Sequence, residues 1–576
     1  MENSSRQRRL SFAGNLCASA DYNLDRSGEH IMYVLGLNCG KHDSSAALVK
    51  DGQLIAMAEQ ERFSRNKRAV GEAPVDAILF CLTKAGIGLE DVNAVALGWN
   101  YSRTRELYNE PADGRDQREV LFPKSVFKAT AIPPIMPVDH HLAHAASAFW
   151  PSGFKESAIL VVDGGGETES TTIAYGNGNG IQVLESLPLP GSLGHYYAAA
   201  TRYVGMKARH AGKMMGLAAY GKPDQAMPLS VDETGLNWRG LSELEHSGSY
   251  SAMESFRAAL EDHFEQNCFP FKKGTGEDLF AYVSFAASAQ KSLEEAILSL
   301  AERACSLTKQ RNIVLAGGVA LNCSANGKLA RSGIANNLFV QPAASDSGVS
   351  WGAALVLSQR LGVNMQSEAM RHAYWGPDYS HCDIEASLND AQLKFERLTH
   401  EELIEQVAMC LHHKKIVGWF QGRAEIGPRA LGARSILGNP TDRDTLIRLN
   451  RIKCREMWRP FAPSVAEESF HHYFDSPHPS PFMIVAAKVH ESMRKRIPAV
   501  VHADGTARPQ SVRREDNELY WKLLQKFGEY SGMPVLVNTS FNLDKEPIVH
   551  TPGQAITDFI NTEMDVLAIG NYIVRK

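Results

Sequence analysis

From Met32 onward, hydrophobic positions fall into short runs separated by small or polar turns. Met32–Leu37 is nearly all apolar and of strand length. After the turn Asn38–Ser45 come two more strands, Ala46–Val49 and Gln53–Glu59, joined at Lys50-Asp51-Gly52. Pro74 then opens a helix with apolar positions at Val75, Ile78, Leu79, Leu82 and Ala85. The same order returns about 125 residues later, in the strands Ser157–Val162, Ser170–Tyr175 and Ile181–Leu187. Their turns are Asp163–Glu167 and Gly176–Gly180. A strand–turn–strand–turn–strand unit that appears twice is an internal repeat, and it predicts a duplicated α/β fold.

Further along, Ala281–Gln310 has the apolar stripe of a long core helix. Asn312–Ala316 is a strand ending in Gly317-Gly318, and Asn337–Gln341 is another. Ala344–Gly348 leads into a helix beginning near Val349. Trp375-Gly376-Pro377 marks a break. Beyond it, Asp383–Gln392 and Glu401–His412 read as helices and Ile416–Trp419 as a strand. Val535 opens a strand running into a polar turn, from which Asn538 and Ser540 project.

The length of 576 residues predicts about three or four lobes. With 44% hydrophobic and 22% charged residues, the composition is that of a globular protein. A net charge of −5 argues against a nucleic-acid partner. The nine cysteines are scattered, with no Cys-x-x-Cys pair, as expected of reduced thiols in a cytoplasmic protein. No run approaches the ~20 apolar residues of a membrane span. Residues 1–31 read as a disordered extension before the first strand. Charge alters the picture locally: Lys414 to Arg514 holds 18 Lys/Arg against 9 Asp/Glu. Its arginines alternate with glycine, proline and aromatics, a pattern suited to a shaped anion pocket.

The candidate chemistry begins at His140 and His144. One helical turn is about 3.6 residues, so the two rings share a face and can hold one metal ion. The residues alone leave open an ordinary structural role for the pair. They likewise leave open a helix cap for Asp346, a turn histidine bonded to Asp43 for His42, and a solvated Lys67. The glycine-rich turn of each repeat exposes backbone N–H groups able to hold phosphate oxygens.

The chain resembles the NodU/CmcH-type O-carbamoyltransferase family. The first-half matches are Val34-Leu-Gly-Leu-Asn38 with His42-Asp43, Glu61-Arg-Phe63, His140-His-Leu-Ala-His144, Asp163-Gly, Gly212-Lys-Met-Met-Gly-Leu217, Gly317-Gly-Val319 with Asn322, and Ser345-Asp346. In the second half they are Gly427-Pro-Arg-Ala-Leu-Gly432 with Arg434-Ser435, Trp458-Arg-Pro-Phe-Ala-Pro463 and Asn538-Thr-Ser-Phe-Asn542. The resemblance implies an actin-like, TsaD-like ATPase fold over residues 32–372, followed by a YrdC-like α/β domain over 373–576. It implies a metal, normally Fe²⁺ but open to another divalent transition ion, held by His140, His144, Asp163 and Asp346.

On this resemblance, Arg429, Arg434, Lys453, Arg459, Arg508, Asn538 and Ser540 would hold carbamoyl phosphate and ATP, with Mg²⁺, and form carbamoyl-adenylate. The adenylate would pass to the first domain, where Gly317, Gly318 and Asn322 would hold its nucleotide, with Lys213 and Gly216 nearby. His42 would act as general base on the hydroxyl of a small-molecule natural product, as in antibiotic tailoring, and Lys67 would stabilise anionic oxygens. No nucleic acid or membrane is expected as a partner, and a homodimer is allowed. The competing expectation is a small-molecule kinase on the same actin-like fold.

Overall fold

The repeated hydrophobic pattern folds into two sheets of one topology. The computed structural model describes residues 31–39, 41–108, 117–233, 235–241, 250–275 and 278–576. The extension expected at residues 1–31 lies, but for its last residue, outside the described residues. Strands β1 (Tyr33–Asn38), β2 (Ser45–Lys50), β3 (Gln53–Glu59), β4 (Ala94–Leu97) and β5 (Ile135–Pro137) form the first sheet, in the order β3-β2-β1-β4-β5. The second repeat supplies β6 (Ser157–Val162), β7 (Glu169–Asn177) and β8 (Gly180–Pro188). A separate hairpin follows, β9 (Leu229–Asp232) with β10 (Gly235–Trp238). Adding β11 (Asn312–Ala316) and β12 (Asn337–Val340) completes a second sheet, β8-β7-β6-β11-β12. In both, the first three strands are antiparallel neighbours and the last two join in parallel. This duplicated arrangement is the α/β repeat that the pattern predicts, and it agrees with the actin-like fold that the family resemblance implies.

Gln53–Glu59, Ser157–Val162 and Asn312–Ala316 have the bounds read from the pattern. All six residues of β6 are buried, as befits a strand covered on both faces. The helices His140–Phe149 and Val349–Arg360 pack closely. A Cβ at Gly352 would run into the Ala143 carbonyl, so only glycine permits this approach. The contact sets the histidine helix beside the loop that starts the second helix.

The second half forms a mixed eight-stranded sheet. Its strands are β13 (Phe395–Arg397), β14 (Val417–Phe420), β15 (Arg434–Gly438), β16 (Ala462–Ala466), β20 (Gln510–Val512), β21 (Val535–Ser540), β22 (Val566–Ile569) and β23 (Tyr572–Arg575). Their order is β13-β23-β22-β14-β15-β21-β16-β20. Three short strands, β17 (Phe474–Asp475), β18 (Ala487–Val489) and β19 (Thr506–Ala507), form a separate sheet. The polar turn expected at Asn538–Ser540 is instead the end of β21, because Leu437 and Ser435 of β15 pair with Asn538 and Ser540. Long-range pairing overrides the polar composition there. Residues 32–576 form one compact unit. The largest apolar cluster runs from Val34 through Val349 to Phe482 and Ile484, so the two halves share a core.

Candidate active site

The His140–Phe149 helix is rich in alanine, which lets neighbouring backbones come close. His140 and His144 are fully buried with ring centroids 4.6 Å apart. His140 Nδ1–H donates to the Gly98 carbonyl at 3.0 Å, which leaves Nε2 for another partner. Nε2 of both histidines is buried and without a hydrogen bond. Asp163, at the end of β6, and Asp346, before the Val349–Arg360 helix, face them. His140 Nε2 lies 3.8 Å from Asp163 Oδ2 and 3.7 Å from Asp346 Oδ1, and His144 Nε2 lies 3.8 Å from Asp346 Oδ1. One donor atom from each residue falls within 4.8 Å of all the others.

Orphaned imidazole nitrogens opposite two buried carboxylates fit a divalent transition ion. The electrostatics agree. Burial alone would lower the His140 pKa, but the facing carboxylates of Asp163 and Asp346 push it up to about 10. Burial would raise both carboxyls, yet the histidines hold them well below the usual carboxylate range. Both shifts show that the pocket favours positive charge beside the two carboxylates.

Residues beyond the expected ligands brace this cluster. Trp99 stacks on His140 at 3.8 Å and donates from Nε1 to Asn38 Oδ1. Ser45 Oγ donates to Ser347 O and pairs with the Ser350 hydroxyl, tying the Asp346 loop to β2. Buried Glu167 accepts from the His140 backbone N–H at 3.1 Å and from Asn100 N at 2.8 Å. A carboxylate at a helix N-terminus meets both its free N–H groups and its dipole. Glu167→Ala is expected to lower stability by about 1–3 kcal/mol by stranding these donors. Glu167→Gln should recover most of that loss, as read from urea midpoints. Polar spacing does not mark Glu167, and a glycine-rich turn obscures its role. His141 turns its Nδ1 to Thr172 Oγ1 at 2.8 Å, and burial lowers its pKa to about 4.

One large cavity adjoins this cluster, and a second opens from it. The metal-side cavity, about 810 Å³, is lined by His42, Lys67, Asp163, Gly318, Asn322 and Asp346, among others. The basic cavity, about 1090 Å³, includes Arg429, Lys453, Arg455, Arg459, Arg508 and Ser540. His42, Lys67, Arg68, Gly212, Arg429 and Ser540 line both, so the cavities are contiguous.

His42 stands where they meet. Its Nδ1 is 3.4 Å from Asp43 Oδ2, 3.5 Å from Asp346 Oδ2 and 3.0 Å from Arg68 Nη2. Burial opposes the charged ring, but Asp43 and Asp346 outweigh it and raise the pKa. Arg68 is itself held by Asp43 at 3.0 and 3.1 Å. Lys67 donates to Glu546 O, and burial lowers its pKa.

In the basic cavity, Nε of Arg429 and of Arg508 is buried without a hydrogen bond. Arg429 is shifted down by burial and by Arg508 beside it. Lys453 is shifted well down by burial and by Arg455. Its ammonium donates to Ser540 O, Asn542 O and Asn542 Oδ1, bracing the end of β21. Arg459 reaches Glu456 at 3.5 Å. Asn538 donates to Ala430 O, Ser464 Oγ and Gln510 Oε1, and its Oδ1 is left unbonded. Cationic side chains crowded together in a buried site are balanced by a bound anion.

The geometry corrects two expectations, those for Arg434 and Gly317. Arg434 does not reach the basic cavity: it is fully buried and donates to the carbonyls of Gln421, Ala433, Pro377 and Gly422, with Phe420 beneath it. It belongs to the core because β15 turns it inward. Lys213 and Gly216 line the basic cavity together with Cys323 and Ser324, and Lys213 pairs with Glu456 at 2.7 Å. Gly317 packs against the Val162 carbonyl, and the Gly318 N–H donates to Asp163 Oδ1 at 2.6 Å. That glycine pair therefore orients a metal-site carboxylate. Asn322 is fixed by Gln290, which also receives the Tyr197 hydroxyl. Two further residues escaped the pattern. His502 lines the basic cavity with Nε2 unbonded and Nδ1 3.6 Å from Asp504. Arg455 lines it too, bonded to Asn450 and stacked on Phe461.

Four buried residues that could hold a metal ion face one cavity, and that cavity opens into a second lined by arginines. The chain matches the family described as Carbamoyltransferase N-terminus over residues 33–111 and 110–355, and Carbamoyltransferase C-terminus over 408–576. It belongs to that family and is a carbamoyltransferase. Nodulation protein NolNO of Sinorhizobium fredii is 37% identical over 565 residues, covering 94% of this chain and 80% of that protein. Nodulation protein NolO of Bradyrhizobium diazoefficiens is 37% identical over 449 residues, covering 76% and 79%. The uncharacterized protein sll1178 of Synechocystis is 36% identical over 603 residues, covering 94% and 97%. Among solved structures, HypF of T. kodakarensis overlaps 58% of this chain and 49% of its own at 14% identity, with a TM-score of 0.36. That overlap bears on neither substrate nor activity. No helix among the described residues is long and apolar enough to cross a membrane.

Proposed function

We propose that this carbamoyltransferase is ATP-dependent and divides its reaction between residues 373–576 and 32–372. In the basic cavity, carbamoyl phosphate and water yield carbamate and phosphate. Carbamate then attacks the α-phosphate of ATP, giving carbamoyl-adenylate and pyrophosphate. The adenylate passes to the metal-side cavity, where a hydroxyl of a small-molecule natural product attacks the carbamoyl carbon. AMP leaves and the hydroxyl proton is taken up by the enzyme. Carbamate is a short-lived, poor acyl donor, so activation away from water is the chemical need. The observation carrying the reading is the shared wall of the two cavities, which gives the adenylate a path without release.

Arg429, Arg459 and Arg508 neutralise phosphoryl oxygens as charge builds on them. Lys453 and Ser540 shape the same wall, and Asn538 Oδ1 is an acceptor within it. Mg²⁺ accompanies ATP. In the other cavity, His140, His144, Asp163 and Asp346 would hold Fe²⁺ or a similar ion, which supplies Lewis acidity when bound. Asn322 and Gly318 line the space for the nucleotide. His42, whose Nδ1 is held among Asp43, Asp346 and Arg68, is the base for the hydroxyl proton. Lys67 offers positive charge to anionic oxygens.

The direct test measures nucleotide products from ATP, carbamoyl phosphate and a panel of hydroxylated acceptors. AMP and pyrophosphate are expected. ADP with a phosphorylated acceptor would replace this reading with a kinase. His42→Ala should lower carbamoyl transfer by about a hundredfold or more and leave carbamoyl phosphate hydrolysis within a few-fold. Equal loss of both would remove His42 from the base role.

A further inference from the structure

Arg429, one of three arginines that line both cavities, sits on a loop without regular structure. Two residues before it, the Gly427 peptide is gripped from the first half of the chain. Glu59, the last residue of β3, accepts the Gly427 N–H at 2.5 Å. Arg62, one turn later, donates from Nη2 to the Gly427 carbonyl at 2.7 Å. Both side chains are about 5% exposed, and Arg62 Nε lies 3.5 Å from Glu59 Oε2. Gly427 itself has φ +84, and a Cβ there would come 2.7 Å from the Pro342 carbonyl. The loop is thus wedged between the Glu59–Arg62 pair and the segment leading to Asp346. On its far side, Glu425 Oε1 accepts the N–H groups of Leu431, Ala433 and Arg434.

The grip continues into the metal side. Arg62 Nη1 lies 3.6 Å from Glu61, which accepts the Arg68 N–H at 2.7 Å. Arg68 in turn contacts Asp43 and His42. A continuous polar chain therefore runs from His42 through Arg68, Glu61 and Arg62 to the peptide that carries Arg429. A buried ion pair gives modest net stability against an apolar substitute, and its best-attested use is to fix one arrangement over its competitors. Here the arrangement fixed is the position of a cation between two cavities.

The geometry points to Glu59 and Arg62 as positioning residues: they clamp Gly427 so that the Arg429 guanidinium stands at the junction of the two cavities. This rests on the reading of Arg429 as a phosphate ligand. Neither residue need touch substrate to act. Arg62→Lys keeps a charge beside Glu59 but loses the planar fork that reaches the Gly427 carbonyl.

The experiment is a double-mutant cycle on the full chain, with inorganic pyrophosphate as probe and calorimetry as readout. Hydrogen exchange over residues 426–434 is followed in the same proteins. Arg62→Lys is expected to weaken pyrophosphate binding by about tenfold, to do nothing further in an Arg429→Ala background, and to speed exchange in 426–434. Zinc binding, as a probe of the metal cluster, should be unchanged. If the Arg62→Lys penalty is the same with and without Arg429, or if exchange in 426–434 is unaltered, the clamp is wrong. Should Arg62→Lys fail to fold, Glu59→Gln carries the same cycle, since it retains an acceptor for Gly427 but loses the charge facing Arg62. If Arg429→Ala by itself leaves pyrophosphate binding intact, the phosphate reading of Arg429 falls, and the exchange data alone then decide whether the clamp exists.

Discussion

Replacing Asp346 with asparagine is expected to remove metal binding and carbamoyl transfer together, while AMP formation in the basic cavity persists. Asp346 is the most connected member of the cluster: its Oδ1 faces both His140 and His144, and its Oδ2 faces His42. Losing an outer-shell partner typically costs ten- to a hundredfold in metal affinity, and losing a ligand should cost more than about a hundredfold. Stability supplies a readout that does not depend on turnover. A metal at about a hundred times its Kd adds about 2.7 kcal/mol to the folded state. The wild-type thermal transition should therefore rise on adding zinc or iron(II), and that of Asp346→Asn should not. In the metal-free state the substitution also removes a carboxylate charge that faces three histidine rings and is held well below its usual range, so the apo variant is expected to be less stable than wild type near neutral pH. An unchanged metal-induced shift in Asp346→Asn would remove this residue from the ligand set.

The second large effect is expected from Arg429→Ala, which should cut AMP and pyrophosphate formation by at least about a hundredfold, the scale typical of a preorganised group facing developing charge. Metal binding should be unaffected, since Arg429 makes no contact with the four ligands. The side chain suits this test because its Nε is buried and unbonded, so its removal strands no protein acceptor there. Arg434 makes the contrast. It satisfies four backbone carbonyls, and a variant there would report folding before chemistry. Normal AMP formation by Arg429→Ala, with full metal content, would move the adenylating site away from this cavity wall.

Together the two variants ask whether the chain holds two separable sites. Asp346→Asn should leave the first reaction and lose the second, and Arg429→Ala should do the reverse when preformed adenylate is supplied. The Glu59–Arg62 grip predicts that the separation is incomplete, because the loop carrying Arg429 leans on the segment that leads to Asp346.

Much of this was legible before the fold. Short apolar runs between small-residue turns are a local signal, and burial on both faces leaves a strand little freedom to read otherwise. Ser157–Val162, buried at every position, keeps its bounds for that reason. The repeat determined that the first half contains two sheets of one topology. Helical spacing determined that His140 and His144 share a face, since four residues complete about one turn whatever surrounds them. With the family resemblance, Asp163 and Asp346 could be paired to them. Tertiary structure decided which way each cation points. Arg429 and Arg434 are five residues apart in one basic stretch, yet β15 pairing turns Arg434 into the core while a left-handed Gly427 leaves Arg429 at the junction. Lys213 faces the basic cavity only because its helix packs across the seam to Glu456. Glu167 and the Glu59–Arg62 pair take their roles from partners 27 and 365 or more residues away. Strand and helix periods come from neighbours in the chain. The site is made by neighbours in space, which the sequence alone does not order.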